Sequence, residues 1–393
     1  MTQPVGQDLI VFSLFLIFSG AALLATLALY ARQALPVAYI VLGILIGPSG
    51  LKILNDHEIV RQMSEVGIIF LLFLLGLDLA PRELWHMLRK TTVVTVGTSL
   101  LFALTGFGVA TLFGFTRTEA LLVGAAMMFS STIVGLKLLP TTALHHQHAG
   151  EIMISILLLQ DLIAIAVLLL LKGFSGQASW LQGFGLLLIT LPALLGFAFL
   201  FSRYVLLKLI RRFDKIREYI FLIAIGWCLG LAELGSMLGL SLEIGAFIAG
   251  VSLATSPIAF YIADSLKPLR DFFLVLFFFS LGAGFDLRVL LEVLVPACIL
   301  ASLLLLAKPW VFRWFLEWLG EKPSLAMEMG IRLGQVSEFS LLIGVLALQS
   351  GLVGQAASYL VQATTLLTFV ASTYYVVLNY PTPIAISDRL RRD

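Results

Sequence analysis

Apolar runs of about twenty residues follow one another along the whole chain, separated by short polar joints. About 20 residues of helix cross a hydrocarbon layer about 30 Å thick. The pattern predicts thirteen helices, at about 8–31, 36–47, 57–79, 82–114, 117–140, 147–173, 179–208, 215–239, 241–255, 257–284, 286–318, 324–349 and 353–379. Pro36, the Gly47-Pro48-Ser49-Gly50 run, Pro81, Pro257, Pro323 and Pro381 mark joints between them. The segments at 36–47 and 241–255 are too short to cross upright.

Composition agrees with that pattern. The chain of 393 residues is 60% hydrophobic and 12% charged, where a soluble domain has roughly 25% charged residues. It reads as an all-α polytopic membrane protein in a lipid bilayer, because a helix satisfies its own backbone in lipid. Nothing points to nucleic acid. The first run follows a start without Lys or Arg, so it reads as a retained span and not as a cleaved signal. Cys228 and Cys298 both lie in apolar runs and read as core residues, with no metal framework and no cofactor motif.

Basic residues choose the orientation. One set of joints holds Arg32, Arg82, Arg89, Lys90, Lys137, six residues between Arg203 and Arg217, Lys267, Arg270, Arg313, Lys322, Arg389, Arg391 and Arg392. The other holds only Lys52, Arg61, Arg117, Lys172 and Arg288. The first set is therefore expected in the cytoplasm, with the N-terminus outside and the C-terminus inside.

The chain also repeats itself. The run AYIVLG at 38–43 is similar to AFIAGV at 246–251, and Gly76-Leu77-Asp78-Leu79 to Gly284-Phe285-Asp286-Leu287. Five spans recur, at about 36–173 and 241–379, and an odd number of spans separates the copies. Inverted repeats of this kind mark secondary transporters, whose site lies near the midplane.

Three ionisable residues sit deep in apolar spans: Asp161, Lys308 and Glu338. A charge at the bilayer centre costs about 2.5–3.5 kcal/mol on insertion scales and marks a functional candidate. Ser130-Ser131-Thr132 lies mid-span in one repeat, and Gly334-Gln335-Val336-Ser337-Glu338 in the other. Hydroxyls compete with the helix backbone for hydrogen bonds. Two helices that break here would cross and expose carbonyls and amides beside a carboxylate, as ligands for a small cation. Asp161 and Lys308, one acid and one base in opposite repeats, are expected to pair, either as part of transport or as a plain packing ion pair. Glu338 reads either as a cap on a broken helix or as an ion ligand. Arg332 is expected to face a cavity or to snorkel. Asp78, Asp286, Glu233 and Glu243 read as interfacial.

Other chemistry fits less well. His145, His146 and His148 read as a solvated loop. The Gly47–Gly50 run would suit an intramembrane serine protease only with a histidine inside a span, and all five histidines lie in loops or at span edges. Leu75-Gly76-Leu77-Asp78 lacks the first glycine of an intramembrane aspartyl protease motif. A ligand-gated cation channel would need a continuous polar pathway, and the spans suggest no polar stripe.

Ser130-Ser131-Thr132, the run LLLQDLIAIAVLLLL around Gln160-Asp161, the buried Lys308 and LGQVSEFSLLIG at 333–344 together resemble the membrane domain of Kef-type potassium:proton antiporters. These belong to the wider sodium/proton exchanger superfamily. The resemblance runs over essentially the whole chain. It implies a sodium/proton antiporter fold of thirteen helices, with inverted repeats and two broken crossing helices, forming a homodimer in the cell inner membrane. It implies a dimer part at 8–79 and 215–284, a linker helix at 179–208 and a transport core at 82–173 and 287–379. Asp161 would be the cation and proton carrier, Lys308 its charge partner. Gln160, Ser130, Ser131 and Thr132 would complete the cation site, and Gln335, Ser337 and Glu338 would support the broken helix. Gln160 beside Asp161 leans toward potassium; sodium is the alternative. Kef proteins continue into a cytoplasmic nucleotide-binding domain. Either such regulation is absent here, or a regulatory domain or subunit lies outside these 393 residues. Arg332 stands where relatives carry an uncharged residue.

Overall fold

A computed structural model describes residues 6–54, 58–78, 81–132, 135, 148–174, 180–213, 216–256 and 258–382. Every regular element among them is helical: α1 (Gly6–Tyr30), α2 (Leu35–Ile46), α3 (Glu58–Asp78), α4 (Pro81–Leu112), α5 (Arg117–Met127), α6 (His148–Phe174) and α7 (Trp180–Phe201). A π turn at Ser202–Leu206 leads into α8 (Leu207–Arg212), then α9 (Arg217–Met237), α10 (Leu242–Ala254), α11 (Ile258–Ala283) and α12 (Leu287–Trp318). The chain closes with α13 (Pro323–Arg332), α14 (Glu338–Gln349) and α15 (Gln355–Asn379).

Local sequence explains many of the ends. Thr116 and Glu119 form a reciprocal capping box at the start of α5. Ser241 caps α10, Asp286 caps α12, and Pro323 opens α13, where a missing N–H costs nothing. The polarity is that of a membrane protein. Leu23, Leu104, Leu291 and Leu306 are exposed, while Asp161, Lys308 and Arg332 are buried. Among the described residues six helices are long and apolar enough to cross a bilayer, and shorter apolar helices accompany them.

The described residues form two compact units. The first takes in those of 1–21, 42–85 and 172–284; the second takes in those of 22–41, 86–171 and 285–393. Within the first, α3 packs along α10 and α11, and α9 along α10. The repeat is visible here in backbone contacts. Gly43 of α2 lies against the Phe279 carbonyl and the Ala283 amide of α11. Gly250 of α10 lies in the same way against the Phe73 carbonyl and the Leu77 amide of α3. A Cβ at either glycine would collide with backbone, so each short helix needs its glycine. The short first helix of each repeat thus packs on the second helix of the other.

Within the second unit, α12 packs on α13 and α15, and α14 packs on α15 and α5. Two expected spans do not run through. The first stops at Met127, and residues 129–131 are not helical. The second stops at Arg332 and resumes at Glu338.

Candidate functional site

Where α5 and α13 stop, each leaves backbone carbonyls without an intrahelical donor. Lys308, fully buried in α12, supplies donors to both. Its Nζ donates to the Phe129 carbonyl at 2.8 Å, the Gln335 carbonyl at 3.1 Å and Ser130 Oγ at 3.3 Å, and stands 5.1 Å from the centre of the Phe102 ring. An ammonium has three donors, and all three are used. Ser130 Oγ in turn donates to the Leu333 carbonyl at 2.8 Å, which ties the first break to the second. Ser340 Oγ donates to the Ala126 carbonyl, adding a second tie.

Gln160, on α6, serves the same break. Its Oε1 accepts from the Ser130 amide at 2.9 Å, and its Nε2 donates to the Met128 carbonyl at 3.4 Å. Gln335 donates from Nε2 to the Ser131 carbonyl at 3.4 Å. Ser337 caps α14, its Oγ accepting from the Phe339 amide at 3.1 Å. Glu338 is buried in the first turn of α14, where the helix dipole favours an anion.

Asp161 is 0% exposed. Its Oδ2 accepts from Thr132 Oγ1 at 3.3 Å, and its Oδ1 has no hydrogen-bond partner. Glu338 is near enough to interact with it electrostatically. A buried polar atom left unsatisfied is costly, and in a native fold it calls for an explanation such as a bound ion. A carboxylate oxygen beside a hydroxyl is a hard-oxygen ligand set, suited to an alkali cation or to a proton.

Two expectations change. Lys308 does not pair with Asp161: no ion pair joins them, and the lysine's donors go to carbonyls. The physical reason is that both breaks turn a backbone carbonyl toward the lysine, and these two carbonyls with Ser130 Oγ take up its three donors. Gln160 and Ser130 stand beside Asp161, but their polar groups hold the broken α5. Of the expected cation-site residues, Thr132 is the one whose hydroxyl bonds the Asp161 carboxylate among the described residues.

Other residues fall into place. Arg332 neither snorkels nor faces open space. Its guanidinium bonds Glu328 at 2.8 and 3.0 Å and the Pro381 carbonyl at 3.0 Å, beside the Tyr380 ring at 5.6 Å. Asp286 caps α12. Gly47–Gly50 ends α2 in a turn. His145 and His146, and the side chains of His148 and Asp78, lie outside the described residues.

Sequence reading missed a buried polar stripe on α15: Ser358, Gln362, Thr365, Thr368 and Ser372. Their spacing of four, three, three and four residues is the signal that marks one helix face. It is no open channel lining, since Thr365 and Thr368 donate to carbonyls of their own helix.

A family model described as "Sodium/hydrogen exchanger, transmembrane" matches residues 15–378. The chain belongs to the sodium/hydrogen exchanger family. Its fold is similar to that of the sodium proton antiporter MjNhaP1 from Methanocaldococcus jannaschii, with a TM-score of 0.68 and 19% identity over 94% of this chain and 96% of that one. The exchanger is thus a membrane antiporter of cations and protons and not an enzyme.

Proposed function

We propose that this exchanger moves sodium against protons, with Asp161 holding one or the other in turn. The observation that carries the reading is the wholly buried carboxylate whose Oδ1 lacks a donor while Oδ2 takes the Thr132 hydroxyl. Both species need that oxygen, so they compete for it, and competition couples the two fluxes. Potassium rested on Gln160 as part of the site. Both ends of that amide are engaged with α5, which removes the structural reason for it. The family description and the name of the similar structure both speak of sodium. Kef-type kinship rests on the motifs alone.

In this reading the second unit is the transport core and the first carries the dimer contact. Movement of the core exposes Asp161 to each side alternately. The exchanger lies in the inner membrane with its N-terminus outside, as the basic joints imply.

The test uses proteoliposomes with a pH dye inside. Adding Na⁺ outside should alkalinise the lumen of wild-type vesicles if protons leave as Na⁺ enters, and half-saturation should need more Na⁺ as pH falls. Asp161→Asn should abolish the response. Lower half-saturating concentrations for K⁺ than for Na⁺ would restore the potassium reading. A wild-type response from Asp161→Asn would refute the site.

A further inference from the structure

The break between α13 and α14 leaves the Val336 amide and the Gln335 side chain buried in apolar surroundings. Both are taken up by α15. Thr368 Oγ1 accepts from the Val336 amide at 3.0 Å and donates to the Thr365 carbonyl at 2.8 Å. Ser372 Oγ donates to Gln335 Oε1 at 3.0 Å. A hydroxyl both donates and accepts from one atom, which is what Thr368 does here; a valine of the same shape does neither.

Gln335 carries the constraint inward. Its Nε2 holds the Ser131 carbonyl at 3.4 Å, and its own carbonyl takes Lys308 at 3.1 Å. Ser131 is followed directly by Thr132, whose hydroxyl lies 3.3 Å from Asp161 Oδ2. A continuous series of hydrogen bonds and peptide links thus runs from α15 through both broken helices to Asp161.

We propose that Thr368 and Ser372 are positioning residues for cation binding. By fixing the second break, they set where Ser131, and with it Thr132, stands against Asp161. The proposal rests on Asp161 being the exchange site. It assigns a role to the stripe that ordinary helix packing by Ser and Thr would not. Ser372 also borders a cavity of about 410 Å³ with Leu305, Pro309, Gly334 and Tyr375 as other walls. Small substitutions at this position therefore meet no close-packed neighbour on that side.

The experiment measures half-saturating Na⁺ and maximal rate in proteoliposomes for wild type, Thr368→Val, Thr368→Ser, Ser372→Ala and Ser372→Thr, with Asp161→Asn beside them. Loss of one buried hydrogen bond at the site corresponds to roughly a tenfold effect. Thr368→Val should raise half-saturating Na⁺ about tenfold, and Ser372→Ala roughly threefold to tenfold, with maximal rate within about twofold. Thr368→Ser and Ser372→Thr keep the hydroxyl and should restore wild-type half-saturation. A role limited to stability would lower the yield of active protein and leave half-saturation unchanged. Wild-type half-saturation in both Ser372→Ala and Thr368→Val overturns the proposal. If Thr368→Val does not fold, Ser372→Ala alone decides. Exchange that persists in Asp161→Asn would instead overturn the underlying site assignment.

Discussion

Lys308→Ala separates two accounts of the buried lysine. In the structure the ammonium makes three hydrogen bonds, two to carbonyls in the breaks that follow α5 and α13 and one to Ser130 Oγ. Truncation removes them and leaves the Phe129 and Gln335 carbonyls buried near each other without that donor. A hydrogen bond to a charged group is worth about 1.5–3 kcal/mol, and breaking a buried charge arrangement costs about 3–5 kcal/mol. The loss should be about 4 kcal/mol, seen as a clear fall in melting temperature followed by tryptophan fluorescence. That loss alone would also fit a Lys308–Asp161 ion pair. The double mutant distinguishes them. No bond joins the two side chains, although Gln335, Ser131 and Thr132 link their surroundings, so the effects of Lys308→Ala and Asp161→Asn should couple by less than about 1 kcal/mol. Added Na⁺ should also stabilise wild type and Lys308→Ala by similar amounts. A coupling well above about 1 kcal/mol, with Na⁺ stabilising only the wild type, would refute the carbonyl account and restore the ion pair.

Arg332→Ala removes two bonds to Glu328 and one to the Pro381 carbonyl. Glu328 keeps some solvent, so the loss should be about 2–3 kcal/mol and show as a lower melting temperature; an unchanged one would mean that this cluster contributes nothing. Exchange of one Na⁺ for one proton at a single carboxylate leaves the loaded site with the same charge either way. A potential of 100 mV, set with K⁺ and valinomycin, should therefore leave the rate nearly unchanged, whereas one uncompensated charge would shift the balance by about 2.3 kcal/mol.

What could be read from the letters follows the contrast between residue types. Asp161, Lys308 and Glu338 stand out because each is a charge in an apolar run, and Ser130-Ser131-Thr132 because hydroxyls cluster where a helix should run on. What could not be read has a common cause: the partners are backbone atoms, which no letter specifies. Lys308 therefore suggests an acid, although its acceptors are two carbonyls and a serine. Gln160 suggests a cation ligand, although it bridges an amide and a carbonyl of one break. The α15 stripe was periodic enough to find, but Ser and Thr are ordinary packing residues in membrane helices. The repeat was weak in letters because its shared requirement is close backbone approach, met by Gly43 and Gly250, and not side-chain identity.

The charge balance explains why the lysine leaves Asp161 alone. α5 and α13 occupy corresponding places in repeats of opposite topology, so their C-terminal ends meet at the crossing. Each end carries about half a negative charge, and two such ends together offset about one ammonium. Lys308 is therefore compensated by backbone carbonyls, Ser130 Oγ and the Phe102 ring, without a carboxylate. Glu338 has its own compensation in the amide end of α14, whose first turn it occupies. Asp161 sits in the middle of a continuous helix, α6, with no helix end of its own and with one carboxylate oxygen lacking a donor. Asp161 is thus a wholly buried, mid-helix carboxylate whose balance the fold leaves to something that comes and goes. A proton or a cation can supply it, and only one of them at a time.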